Sequence, residues 1–298
     1  MGKMRIGCGQ ITWMKWEDDK PVIPPVEQVL GEIAQAGYEG APAGARGDVT
    51  AAALVEQFSR FGLKPAPGYL GANFWDEDER DGILERAKQL AVFMREVGCT
   101  ELFVAPGMNP VGQSGKARMD IAGRVTAADF MSDAQFAQFA KVLNEVGEIT
   151  LKEGVKSCFH NHVGSAIETR EEIDKLFSLV DRDVVFQGPD IGHLMWGGAD
   201  PVQFCRDYAD SIKALHIKDI YPNVLQEGRE KEWTYAEFSK HGIFAELGEG
   251  MVDFPAMFDI LSKAGFDGWV IVETDVTTKS SALESATISR KYLQSIGL

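Results

Sequence analysis

The 298-residue sequence predicts a single-domain (β/α)8 barrel spanning residues 1–298. Three observations predict it. Short apolar runs of strand length alternate eight times with stretches of helical periodicity. No composition shift or linker divides the series. Four of the runs end in residues of metal- or proton-binding type: His160, Asp190, His216 and Glu273. Strict alternation demands a parallel sheet with right-handed crossovers, and eight such units close into a barrel whose strand C-termini converge on one mouth. A doubly wound open sheet is the competing arrangement, but no G-x-G-x-x-G follows the first run to support a dinucleotide site.

The first strand is read over 5–11. Pro24 and Pro25 then open a helix over 26–35 that stops at Gly37. Residues 38–42 form strand two, 51–61 the next helix, and 63–70 strand three, in which Pro65 and Pro67 sit awkwardly because proline cannot donate to a ladder. A long amphipathic helix over 77–97 leads to strand four at 101–105. Residues 108–131 are too long and too rich in glycine and polar residues for an ordinary connection, and read as a lid or a disordered loop. Next come a helix over 133–152 and strand five at 155–160, then a helix over 171–179 and strand six at 184–189. A helix over 201–209 precedes strand seven at 212–217. A second excursion, 219–249, carries a charged run at 226–232 that reads as a solvated face. A helix over 253–264, strand eight at 269–273 and a helix over 282–296 close the chain. On a barrel, both excursions belong to the active-site face.

A hydrophobic content of 45% suffices for a barrel-sized core. The net charge of -15 argues against a nucleic-acid partner, which leans on clustered Lys and Arg. Cys8, Cys99, Cys158 and Cys205 are widely spaced without a C-x-x-C pair, and read as buried thiols in a reducing compartment. No signal peptide and no membrane-length apolar run is present, so the expected location is the cytoplasm, with no membrane partner.

His160, Asp190, His216 and Glu273 come from strands five to eight and are predicted to point into one mouth. Two imidazoles and two carboxylates suit one divalent ion, Mn²⁺ or Co²⁺ first, then Fe²⁺ or Zn²⁺, with Mg²⁺ less suited because it prefers all-oxygen shells. Plain alternatives stand beside each assignment: a helix-capping Asp190, a packed His216, a salt-bridging Glu273. His162 is either the ligand in place of His160 or an adjacent acid/base group, the latter preferred because alternate residues of an extended segment share a face. Lys218 and Asp219 either hold the loop as an ion pair or contact substrate. Glu249, between Gly248 and Gly250, marks a plain turn or a substrate-contacting loop.

These residues lie in segments that resemble the xylose isomerase-like TIM barrels, the sugar phosphate isomerase/epimerase group: DIGH at 190–193, HIKD at 216–219, LGEG at 247–250 and VET at 272–274. With GQITW at 9–13 and HNHVG at 160–164, the chain is most similar to the inosose dehydratase branch. The resemblance spans nearly the whole chain and implies one divalent ion held by Asp190, His216 and Glu273, with His193 contacting substrate. The first ligand of that group is a Glu, and His160 stands in its place. Two opposed carboxylates shuttle the proton in the group's epimerases, so this departure points instead to one C–H abstraction followed by loss of a leaving group. The implied activity is β-elimination on a cyclic keto-polyol: inosose dehydration or elimination from a 3-keto sugar or 3-keto glycoside. His162 is the first choice of base and Lys218 the second, and His193 or Glu249 is expected to protonate the departing oxygen. A metal-dependent isomerase or epimerase of a free ketose or keto-cyclitol is the second reading. Barrels of this type often pair through their outer helices, which makes a homo-oligomer the expected assembly.

Overall fold

The computed structural model describes residues 4–17, 20–44 and 49–298. Eight parallel strands close around one axis in chain order: Arg5–Cys8, Gly40–Pro42, a third strand in two pieces (Lys64–Ala66 and Gly68–Ala72), Glu101–Pro106, Lys156–Phe159, Val185–Gln187, Ala214–Ile217 and Trp269–Val272. The break in the third falls at Pro67. Its first piece pairs with strand two and its second with strand four. Closure is completed by strand one on strand eight, with Arg5 opposite Trp269, and by bridges from Gln187 to Ile212 and Asp190 to His216 between strands six and seven.

The first strand ends at Cys8 rather than at residue 11, and Gln10–Trp13 forms a 3-10 turn. Gly9 marks the change, because a Cβ there would collide with the Glu273 carboxylate. The barrel interior is filled by Ala66, Phe103, Cys158, Ala214, Trp269 and Ile271. Between the strands and the outer helices lies the main apolar shell, including Ile6, Leu102, Val104, Phe159, Val185 and Leu215. All four cysteines are free and buried.

Both excursions are ordered. The first carries 3-10 turns at Arg118–Ile121 and Ala127–Asp129, and drives Arg118 into full burial against Glu172. The second folds into helices Pro222–Glu230 and Tyr235–Lys240 and returns as Phe244–Ala245, paired antiparallel with Asp219–Ile220. Its charged run is solvated as expected. With Trp196 from the short helix after strand six, the excursions build a second apolar cluster that includes Ala122, Leu225, Trp233, Phe238 and Phe244. Among the described residues, no helix is long and apolar enough to cross a membrane.

Candidate active site

Side chains i and i+2 of an extended segment share a face, and three strand ends use that rule to present two polar tiers. Strand five ends in His160 and His162, strand seven in His216 and Lys218, and strand eight in Glu273 and Asp275. Strand six contributes Asp190 and, one helical turn later, His193.

In the lower tier, His160, Asp190 and His216 each offer a ligand atom within 4.8 Å of the others, and all three are buried. The His160 Nδ1 faces the Gly188 carbonyl at 3.2 Å, leaving Nε2 3.8 Å from Asp190 Oδ2. The His216 Nδ1 donates to Glu273 Oε2 at 3.0 Å, and its buried Nε2 has no hydrogen-bond partner among the described residues. Imidazoles tied at one nitrogen by a carbonyl or carboxylate, with the other left open, are what a metal centre uses. Burial and the neighbouring His216 hold His160 well below the usual imidazole range, so it is neutral, as a ligand must be. The donor set therefore fits a divalent ion. Glu273, expected among the ligands, adjoins this trio, its Oε2 3.0 Å from His216 Nδ1 and 2.9 Å from Lys218 Nζ.

Asp190 has two jobs. Its Oδ1 accepts from the His193 N–H and caps the helix Ile191–Trp196, while Oδ2 faces the site. Burial favours its neutral form, but Lys218, His160 and His216 outweigh burial and hold the carboxyl well below the usual range. The helix-capping reading of Asp190 holds, and its second oxygen lies with the His160 and His216 donors.

In the upper tier, His162 and His193 lie with ring centroids 3.6 Å apart, and His162, His193 and Asp275 form a second close group. The His162 Nδ1 donates to the Val163 carbonyl at 2.7 Å, which leaves the lone pair on Nε2. Burial, and then the Lys218 charge, push His162 down to about 4. His193 Nδ1 accepts from the Val163 N–H at 3.4 Å, so its proton resides on Nε2, 4.0 Å from Asp275 Oδ2. Lys218, expected as an alternative base with a pKa near neutrality, is corrected by its surroundings. Its Nζ lies 2.8 Å from Asp190 Oδ2, 2.9 Å from Glu273 Oε2 and 3.2 Å from Asp275 Oδ1. Burial alone would lower its pKa; Asp190, Asp275 and Glu273 override burial and hold it charged.

Above the tiers opens a cavity of about 460 Å³, lined on one side by His160, His162, His216, Lys218, Glu273 and Asp275. His193 is fully buried beneath His162. Glu249 does not join these residues: it sits at the exposed turn, bonded to Tyr221 at 2.8 Å and Lys279 at 2.6 Å. Asp219 holds that turn by accepting the N–H groups of Ile220, Gly248, Gly250 and Val252. A Cβ at Gly250 would strike the same carboxylate, which accounts for the glycine in the LGEG segment.

Three residues escaped the reading of the sequence. Asp275 follows the same i+2 rule as His162, and its spacing from Glu273 was the available signal; burial raises its pKa to about 6 despite Lys218. Tyr69 meets the edge of His160 at 5.3 Å, and Tyr235 stacks on Trp196 at 5.0 Å and on His162 at 6.0 Å. No spacing motif marks either tyrosine.

The xylose isomerase-like TIM barrel family model matches residues 30–296. The chain belongs to that family. Within it, the chain is 30% identical over 275 residues to the Rhizopine catabolism protein MocC of Rhizobium meliloti, covering 91% of this chain and 82% of the relative. It is 28% identical over 300 residues to the inosose dehydratase of Clostridium tetani, covering 98% and 97%. A solved structure of the probable 3-DHS dehydratase AsbF from Bacillus anthracis superimposes with a TM-score of 0.70 at 15% identity, covering 98% of this chain and 99% of that one. The IOLI protein, whose structure has a binding zinc atom, gives 0.68 at 18% identity, covering 98% of each. These structural likenesses concern the fold. The two-tier mouth is this family member's version of the barrel's C-terminal face.

Proposed function

We propose that the protein is a metal-dependent carbon-oxygen lyase that eliminates water, or an alcohol, from a cyclic keto-polyol. The observation that carries this reading is a neutral His162 lining the cavity beside a buried trio of metal-type donors. The full-length likeness to inosose dehydratases supports the same chemistry. His160, Asp190 and His216 are the residues to hold the ion, with Glu273 as the fourth member of the set. A divalent ion bound there supplies Lewis acidity, acidifying the C–H beside a ketone. Mn²⁺ and Co²⁺ are the first candidates.

His162 Nε2 takes the α proton, its Nδ1–H remaining on the Val163 carbonyl. The C–H electron pair forms the enolate, and the Lys218 ammonium, fixed by the Asp190 and Glu273 carboxylates, stabilises the negative charge as it develops. The β C–O bond then breaks and its electrons leave with oxygen, which takes the proton of Asp275 in its neutral acid form, the form that burial favours. His193, with Nε2–H 4.0 Å from Asp275, backs that carboxyl. An enone and water result. This arrangement replaces Glu249 in the acid's role, because Asp275 lines the cavity and Glu249 does not.

The direct test follows enone absorbance while the metal-loaded enzyme is incubated with 2-keto-myo-inositol or a 3-keto-glucoside, before and after EDTA. A chelator-sensitive rise is expected. A flat trace with solvent deuterium entering recovered ketose would establish the isomerase or epimerase reading instead, which the second carboxylate at Asp275 favours.

A further inference from the structure

The rest of the cavity lining has a different chemistry. Pro42, Pro67, Tyr69 and Met108, from strands two and three and the segment after strand four, form an apolar wall. Tyr69 is 46% exposed and Met108 45%, so two large side chains present apolar surface to the opening.

The wall also has few hydrogen bonds to offer. Pro42 and Pro67 have no N–H. The Ala43 N–H goes to the Ala66 carbonyl, and the Gly68 N–H points to Met94 Sδ at 3.2 Å. The Gln10 amide donates to the Pro42 carbonyl at 3.1 Å. Among the described residues, the polar side-chain groups on this side are the Tyr69 hydroxyl and the Gln10 amide. A ring with a hydroxyl on every carbon, turned toward such a wall, would bury hydroxyls against carbon, which is penalised when no partner replaces water.

We propose that the substrate ring carries one apolar, ether- or glycoside-linked substituent, seated on the wall of Pro42, Pro67, Tyr69 and Met108, while its hydroxyls and ketone face the polar tiers. The inference rests on the keto-polyol reading above and specifies which member of that class the cavity takes. Tyr69 supplies a ring face and Met108 an adaptable apolar arm, the combination that binds a flat or small alkyl group without fixing its geometry.

Calorimetric titration of the full-length, metal-loaded enzyme with three unreactive ring compounds tests it without requiring turnover: myo-inositol, methyl β-glucoside and phenyl β-glucoside. Phenyl β-glucoside is expected to bind about tenfold or more tighter than myo-inositol, with the methyl compound between them. The phenyl-to-inositol ratio should shrink several-fold in Met108→Gln, and a rise in phenyl affinity in Tyr69→Phe would show that the ring face, not the hydroxyl, makes the contact. Equal affinity for the three compounds, binding by none, or a ratio unmoved by Met108→Gln overturns the proposal. The two readings fail separately. A phenyl preference without elimination of any keto-sugar would refute the lyase and leave the apolar wall, whereas inosose elimination without a phenyl preference would do the reverse.

Discussion

His162 owes its readiness as a base to two neighbours, the Val163 carbonyl that fixes its tautomer and the Lys218 ammonium that keeps it unprotonated. His162→Ala should therefore lower kcat by about 10²-fold or more while metal content stays at the wild-type level. His216→Ala should lose the metal itself, since it removes a donor from the trio; elemental analysis after gel filtration separates the two outcomes. Glu168 makes a different prediction. Its buried carboxylate accepts the N–H groups of Gly123 and Gly164, both at 2.7 Å, joining the first excursion to the loop behind His162. Burial outweighs those bonds and raises its pKa from 4.5 to about 7. Because the folded protein holds this proton more tightly than the unfolded chain, the favourable contribution is complete below pH 4.5 and is lost as pH rises through about 7. Thermal melts between pH 5 and 8 should show a downward slope that Glu168→Gln flattens. At this scale the sequence was legible wherever a ligand-type residue closed an apolar run. His160, Asp190 and His216 did converge, and His162 lies beside them. Tyr69 and Tyr235 were not legible, because an aromatic in a strand or a surface helix looks the same whether it packs or faces a substrate.

Two excursions set the rim of the barrel, and each is tied down by one buried ionisable side chain. Arg118 reaches from the first to Glu172, whose Oε2 also accepts the N–H groups of Glu168 and Thr169 at the start of the helix Arg170–Phe177. Removing one partner of a fully buried pair leaves an uncompensated charge, so Arg118→Met should destabilise the fold by about 3–5 kcal/mol in urea unfolding. In the second, Asp219 gathers four N–H groups and shapes the 247–250 turn. Asp219→Ala should loosen that turn, read as faster amide exchange at Gly248, Gly250 and Val252, while metal binding persists. The helices read over 133–152 and 26–35 were legible, the first from an Asp near its start and Gly154 past its end, the second from apolar spacing and the Gly37 stop; the Ser132 cap of the first shows only in the structure. The excursions did not. Their order comes from a few buried polar contacts and from the Trp196–Phe238–Trp233 cluster, none of which leaves a periodic trace. Strand three shows the opposite failure, a proline that looks like a reason to doubt the strand and is instead where the ladder changes partner.

At the scale of the whole molecule, closure of eight parallel strands places the ends of strands five to eight around one mouth and those of strands two to four across from them. That division gives the cavity a charged side, marked in the sequence by residues that close apolar runs, and an apolar side with no local motif. The alternation of elements made the barrel legible, and barrel geometry then brought together residues more than a hundred positions apart in sequence. The polarity of the opposite wall could not be read from the sequence, because it depends on which backbone N–H groups are already bonded. The most direct measurement is the ultraviolet trace of enone formation from 2-keto-myo-inositol or a 3-keto-glucoside by metal-loaded wild type, EDTA-treated protein and His162→Ala. A rise in the wild type alone, restored to the EDTA-treated sample by added Mn²⁺ or Co²⁺, is the predicted result. Undiminished enone formation by the chelated protein or by His162→Ala would contradict it.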